Sequence, residues 1–274
     1  MAKRSKVGHC GTLDPLATGV LVVCVGPATR LAQLVQDAPK TYVGGFQLGL
    51  TSDTEDSQGD VQPLESPPVI DPNQLAAVLP KFVGRIQQLP PKFSALKVNG
   101  KRAYELARAG KEVKLKPREI TVHSIRVVDF QYPNFKLEIV CGSGTYIRSL
   151  GRDIGQALGS AAIMTSLQRT AIGDFSVETS ISPDELTRDN FKSKLFDPQH
   201  CLNHLERLKI SDTEAAGLLD GTLVEFPSDT PPDRAYAVDQ QEHLLAILQR
   251  RDGNFYSPKI NFCRYWRDLR PTAE

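Results

Sequence analysis

The chain has 274 residues, 40% of them hydrophobic and 24% charged, with a formal net charge of +1. This supports a folded core and excludes wholesale disorder, and with so little net charge any nucleic-acid surface must come from local clustering. The five cysteines (Cys10, Cys24, Cys141, Cys201 and Cys263) are odd in number and form no C-x-x-C, and the longest apolar run, around Val20–Val25, is far shorter than the roughly 20 residues that span a bilayer. The expectation is a cytoplasmic protein with free thiols and no membrane span.

In chain order, Gly8 to Gly19 is rich in glycine and turn formers and predicts a loop. Val20 to Val25 predicts a short buried strand. Thr29 is placed to cap a helix whose Leu31, Leu34 and Val35 share a face. Thr41 to Leu48 reads as a strand. Thr51 to Pro68 is polar, acidic and proline-bearing, and reads as a loop. Asp71-Pro72 supplies a cap and a first-turn proline for a helix carrying Leu75, Val78, Leu79 and Phe82. Ile120 to Phe130 and Phe135 to Cys141 predict strands, the second alternating Phe135, Leu137, Ile139 and Cys141. Thr145 to Leu158 predicts a helix, with Ile147, Leu150, Ile154 and Leu158 at helical spacing. Leu167 to Val177 predicts a further strand.

The texture changes near Leu195–Leu208. The expected division is a main domain over 1–200 and a small β-rich domain over 205–274. In the latter, Ser211-Asp212-Thr213-Glu214 is a capping-box pattern and Gly221 ends a short helix. Strands are expected at Thr222–Phe226, Ala235–Asp239, Leu244–Arg250 and Phe255–Phe262. The main domain mixes strands and helices without strict βαβ alternation. The expected class is therefore α+β, with a largely antiparallel sheet flanked by helices and loops.

Between Lys81 and Arg118 stand eleven basic residues and only two acids, Glu105 and Glu112, with Phe93 and Tyr104 interleaved. That is the pattern of phosphate-backbone contact, although a solvated charged face has the same composition. His200-Cys201-x-x-His204 has no second ligand pair at zinc spacing and is discounted as a metal site. Gly142-x-Gly144 lacks the third glycine of a dinucleotide fingerprint, since position 147 is isoleucine.

The most informative stretch is Gly8-His9-Cys10-Gly11-Thr12-Leu13-Asp14-Pro15-Leu16-Ala17-Thr18-Gly19. Glycines and a proline hold one carboxylate, Asp14, in a tight loop, and Pro15 restricts the backbone of Asp14 to extended or turn geometry. A carboxylate so presented suits nucleophilic or general-base work, while an Asx turn would use the same residues. Arg148 falls in the first turn of the helix predicted over Thr145–Leu158, where a cation opposes the helix dipole. A carboxylate from outside the helix would compensate it, and Asp14 is the candidate. Asp153 is the one local rival on the helix.

The string G-H-x-G-T-L-D-P-x-A-T-G resembles the catalytic loop of the TruB family of pseudouridine synthases. The resemblance continues through Lys40-Thr41-Tyr42, Gly49-x-Thr51-x-Asp53-Thr54, Ser94-Ala95-Leu96-Lys97 and Cys141-x-x-Gly144-Thr145-Tyr146-Ile147-Arg148. It implies a pseudouridine synthase fold, with an RNA-gripping insertion at about 84–118 and a PUA-like C-terminal domain. It also implies isomerisation of the T-loop uridine of tRNA, position 55, after the base flips out. By resemblance, Asp14 is the catalytic aspartate, acting at C1′, at C6 or on the C2′ proton. Tyr42 stacks on the target base, and Arg148 pairs with the aspartate. His9 fills the space the nucleotide leaves, Tyr146 and Leu167 line the pocket, and Arg30 lies near the RNA backbone. The implied partner is the T-arm of tRNA. No cofactor, metal or protein partner is implied, and the expected state is a monomer.

Members of this family ordinarily carry a strand and a helix with a lysine-proline-x-glycine motif ahead of the loop, whereas only Met1 to Gly8 precede His9 here. A tRNA-binding folding helper with impaired catalysis is therefore the alternative. A glycoside-type hydrolase is disfavoured, because no second acid sits in a comparably constrained loop.

Overall fold

A computed structural model describes residues 5–94, 96–98, 101–102 and 115–264. Part of the basic segment and of the insertion expected at 84–118, including Tyr104, Arg108, Lys111 and Lys114, lies outside the described residues. The chain divides into two compact units. One joins Gly11–Val22 with Gln36–Ser180; the other joins Met1–Cys10, Val23–Val35 and Ile181–Glu274.

The first unit is built on a seven-stranded sheet. Its strands follow the order Phe175–Ser176, Ala162–Ile172, Lys40–Leu48, Asn134–Cys141, Arg118–Gln131 and Gly84–Gln88, every neighbouring pair antiparallel. The short Ala17–Gly19 strand pairs in parallel with Ala162–Ile172. This is the α+β architecture expected, largely antiparallel. The alternation at 135–141 puts Phe135, Leu137, Ile139 and Cys141 inward, each at most 1% exposed. Phe46 stacks on Phe135 with ring centroids 5.1 Å apart. Each such fully buried apolar side chain contributes about 1.5–3 kcal/mol.

The Ile147–Ala157 helix lies on this core through Ile147, Leu150 and Ile154. Gly151 lets it approach closely: a Cβ there would sit 2.4 Å from Cδ1 of Phe46. That close approach sets the depth at which Arg148, on the helix's first turn, is buried. The Pro72–Val78 helix starts as expected. Asp71 Oδ1 accepts from the amides of Asn73 and Gln74 at 2.7 and 2.9 Å, and Gln74 Oε1 accepts from the Asp71 amide at 2.8 Å. Such a cap is worth about 1 kcal/mol.

Several local expectations need correction. The strand expected over Val20–Val25 covers only Val23–Val25, and Leu21 and Val23 are exposed. It pairs in a two-stranded hairpin with Val7–His9 rather than inside the large sheet, so half its valines need no cover. Thr29 does not cap a helix. Gly26-Pro27 starts a 3-10 turn three residues earlier, Thr29 Oγ1 donates back to the Gly26 carbonyl at 2.8 Å, and the α-helix is Ala32–Asp37. The expected loop over Thr51–Pro68 contains a short hairpin, Leu50–Ser52 with Val61–Pro63, whose polar residues gave no alternation to read. The last strand starts at Ala162, five residues before Leu167, and turns at Gly173, where φ is +50°.

The second unit carries a five-stranded sheet in the order Glu206–Lys209, Arg234–Val238, Leu244–Arg250, Phe255–Asn261 and Val224–Glu225. The capping box at Ser211 forms with Glu214 and starts the Asp212–Leu219 helix. Leu31 packs with Leu202, Leu244, Ile247 and Phe262 in one core of this unit, and Ala235, Ala237, Leu248 and Tyr256 belong to another.

Candidate active site

Asp14 stands in a turn closed by the Ala17 amide, which donates to the Asp14 carbonyl at 2.9 Å. The chain then zips onto the sheet, Ala17 opposite Leu167 and Gly19 opposite Arg169. Gly19 has φ +100°, and a Cβ there would fall 2.2 Å from the Arg169 carbonyl oxygen, so only glycine fits.

Arg148 meets Asp14 as a two-point fork. Its Nε donates to Oδ2 at 2.9 Å and its Nη2 to Oδ1 at 3.0 Å. The arginine side chain is 6% exposed and the aspartate side chain 29%. The cation is thus desolvated by the fold while the carboxylate keeps an open side. Two further protons are also used: Nη1 donates to the Thr54 carbonyl at 2.8 Å and Nη2 to the Phe93 carbonyl at 3.2 Å. A planar guanidinium is the group that can serve two carboxylate oxygens and two carbonyls at once. The partner across the fold is Asp14, as the dipole argument anticipated, and Asp153 pairs with Arg152 instead.

A second acid escaped the sequence reading. Asp56 is 4% exposed and its Oδ2 lies 3.7 Å from Arg148 Nε. Its other oxygen accepts from Thr54 Oγ1 at 2.6 Å and from the Gln58 amide at 3.0 Å. Beside it, Glu55 has a left-handed backbone (φ 64°) and accepts from Ser149 Oγ at 2.6 Å while pairing with Arg152. Burial pushes the Glu55 carboxyl above its ordinary range, against the pull of Ser149 and Arg152. The run Thr54-Glu55-Asp56 therefore docks on the helix that carries Arg148. A polar stretch with two adjacent acids was the only available signal, and it reads equally as an exposed loop.

Tyr42 lies on the central strand, in register with Ile139 on one side and Arg169 on the other, and packs partly buried against the core. Burial raises its phenol pKa and the Arg169 guanidinium opposes the rise. Leu167 is 6% exposed, at the edge of the same core. Tyr146 precedes the helix with extended backbone. The fully buried Gln88, another residue the sequence did not announce, holds it at two points: Oε1 accepts from the Tyr146 amide at 2.9 Å, and Nε2 donates to its carbonyl at 3.0 Å. The Arg118 guanidinium sits 4.7 Å from the Tyr146 ring centroid. Cys141 is 1% exposed, and burial pushes its thiol pKa up to about 11.

Asp14, Tyr42, Tyr146, Arg148 and Leu167 therefore belong to one unit. His9 and Arg30 belong to the other. His9 is exposed, in register with Val23 at the end of its hairpin. Arg30 donates to the Asn261 carbonyl and lies 5.4 Å over the Phe262 ring.

The site thus holds one part-exposed carboxylate clamped by a buried guanidinium in an antiparallel α+β unit. The description "TruB family pseudouridylate synthase (N terminal domain)" matches residues 1–147. A protein of Azoarcus sp. named tRNA pseudouridine synthase B is 41% identical over 228 residues, covering 82% of this chain and 76% of its own. One of the same name from Clostridium kluyveri is 38% identical over 264 residues, covering 95% and 91%. Among solved structures, a chain in the crystal structure of a Cbf5-Nop10-Gar1 complex superposes with a TM-score of 0.70 at 26% identity, over 94% of this chain and 76% of that one. The chain belongs to the TruB family of pseudouridylate synthases.

Proposed function

We propose that this protein converts the T-loop uridine of tRNA, position 55, to pseudouridine, with Asp14 as the catalytic group. The observation that carries the reading is the two-point Arg148–Asp14 pair. A guanidinium fork favours the charged form of a carboxylate and fixes its direction. That is what attack or proton abstraction at a ribose or uracil atom requires. The reaction breaks the N1–C1′ bond, turns the uracil and joins C5 to C1′. The C5 proton leaves and N1 gains one, so atoms and electrons balance within the nucleoside.

The target base leaves its stack at a cost of a few kcal/mol, and an aromatic platform returns about 1–3 kcal/mol. Tyr42 is that platform, beside Asp14, and His9 occupies the vacated space. The basic residues between Lys81 and Arg118 grip the T-arm, and the β-rich C-terminal strands, read as PUA-like, add tRNA contacts. The names of the relatives support tRNA as the substrate. In this reading the enzyme acts as a cytoplasmic monomer.

The test is a pseudouridine-specific chemical map of an unmodified tRNA transcript incubated with the wild-type protein and with Asp14→Asn. A single new adduct at the T-loop uridine, absent with the variant, is the expected result. Modification elsewhere, or an unchanged map with Asp14→Asn, overturns the assignment.

A further inference from the structure

Arg169 is among the largest fully buried side chains of the protein, 2% exposed, and among the described residues no carboxylate is ion-paired with it. Burying an unpaired cation costs several kcal/mol, so its bonds should account for its presence. It donates through Nε to the Val20 carbonyl at 2.8 Å and through Nη2 to the Gly11 carbonyl at 3.2 Å. Those two carbonyls lie on either side of Asp14, one on each arm of its loop. The Arg169 main chain does the same work, since its carbonyl accepts from the Val20 amide at 2.8 Å. Across the strand it is in register with Tyr42. Two residues along the same strand stands Leu167, so both side chains leave the same face of the sheet.

We infer that Arg169 is a positioning residue for the Asp14 loop: its guanidinium ties the two arms together and sets where the carboxylate stands relative to Tyr42 and Arg148. The inference rests on the function proposed above. It separates Arg169 from the clamp on Asp14 itself, because Arg169 touches only the backbone of the loop. An arginine suits the task because its planar fork reaches two carbonyls in fixed directions, which a lysine ammonium cannot.

The experiment compares wild type, Arg169→Lys and Arg169→Ala, the last with and without millimolar ethylguanidinium. It measures single-turnover conversion of a tRNA transcript, tRNA affinity and thermal unfolding. In Arg169→Lys the single-turnover rate should fall about 30- to 100-fold, because displacing a catalytic group by about 1 Å costs about that much. Affinity should stay within about threefold, since no tRNA contact is removed. Ethylguanidinium should restore part of the rate to Arg169→Ala. The inference fails if Arg169→Lys retains the wild-type rate, or if rate and affinity fall together. It fails also if neither variant folds, which would make Arg169 a purely structural residue. If the wild-type protein itself forms no pseudouridine, the proposed function fails and not merely this residue's role.

Discussion

Replacing Arg148 by lysine keeps the charge and removes the fork. Four hydrogen bonds leave the guanidinium, two to Asp14 and one each to the carbonyls of Thr54 and Phe93. An ammonium has three protons on one atom, so at least one acceptor is orphaned, and the two carboxylate oxygens cannot be met side by side. With two bonds lost from a charged donor that is 6% exposed, at about 1.5–3 kcal/mol each, the site loses about 3–6 kcal/mol. If about half of that, about 1.5–3 kcal/mol, falls on the orientation of Asp14 in the transition state, the rate drops about 10- to 150-fold. Pseudouridine formation expels the C5 hydrogen, so tritium release from a transcript labelled at uridine C5, with enzyme in excess, reads the chemical step directly. The expected outcome is that loss of rate with tRNA affinity within about twofold of wild type. A folded Arg148→Lys protein that releases tritium within threefold of the wild-type rate would refute the claim that two-point pairing matters.

Gly19→Ala places a Cβ 2.2 Å from a backbone oxygen at positive φ; it should cost at least about 2 kcal/mol in urea denaturation, and an unchanged midpoint would show that the loop is loose. Because burial raises the Glu55 pKa, its contribution to stability is complete below the ordinary value of 4.5 and is lost as pH rises through the folded value. The stability of wild type relative to Glu55→Gln should therefore fall as pH rises above 4.5, and a rise measured by urea denaturation would contradict the burial argument. Cys141, 1% exposed with its thiol pushed up to about 11, should resist iodoacetamide at neutral pH in the folded protein while Cys201, which is only half-buried, reacts. Mass spectrometry of the alkylated peptides decides the point.

Much of the frame was legible because it is local. Alternation at 135–141 and the 3.6-residue spacing at 147–158 named their buried faces. Asp71 and Ser211 announced helix starts that the structure shows hydrogen bond by hydrogen bond. Elements failed where the signal was shared between alternatives. The valines of 20–25 suit a buried strand or a half-open hairpin, and Gly26-Pro27 outcompetes Thr29 for the start of the turn. The site divides the same way. Asp14 and Arg148 could be paired in advance because a cation at a helix start violates a local rule and calls for a carboxylate from outside the helix. Asp56, Gln88 and Arg169 break no rule that can be read along the chain.

The amino-acid sequence by itself determined the family, the loop that presents Asp14 and the helix that presents Arg148, because motif, turn chemistry and periodicity act over a few residues. Tertiary structure alone decided how they meet. The fork spans 134 positions of chain, and the Arg169 bonds span 149 and 158. Such pairings are set by strand register and by how closely a glycine lets a helix approach its sheet. The same long-range packing, through Leu31 and Phe262, assigned residues 23–35 to the unit of the C-terminal strands. Side chains that cross such distances leave no trace in local pattern, since the free energy that holds them appears only once both ends are buried.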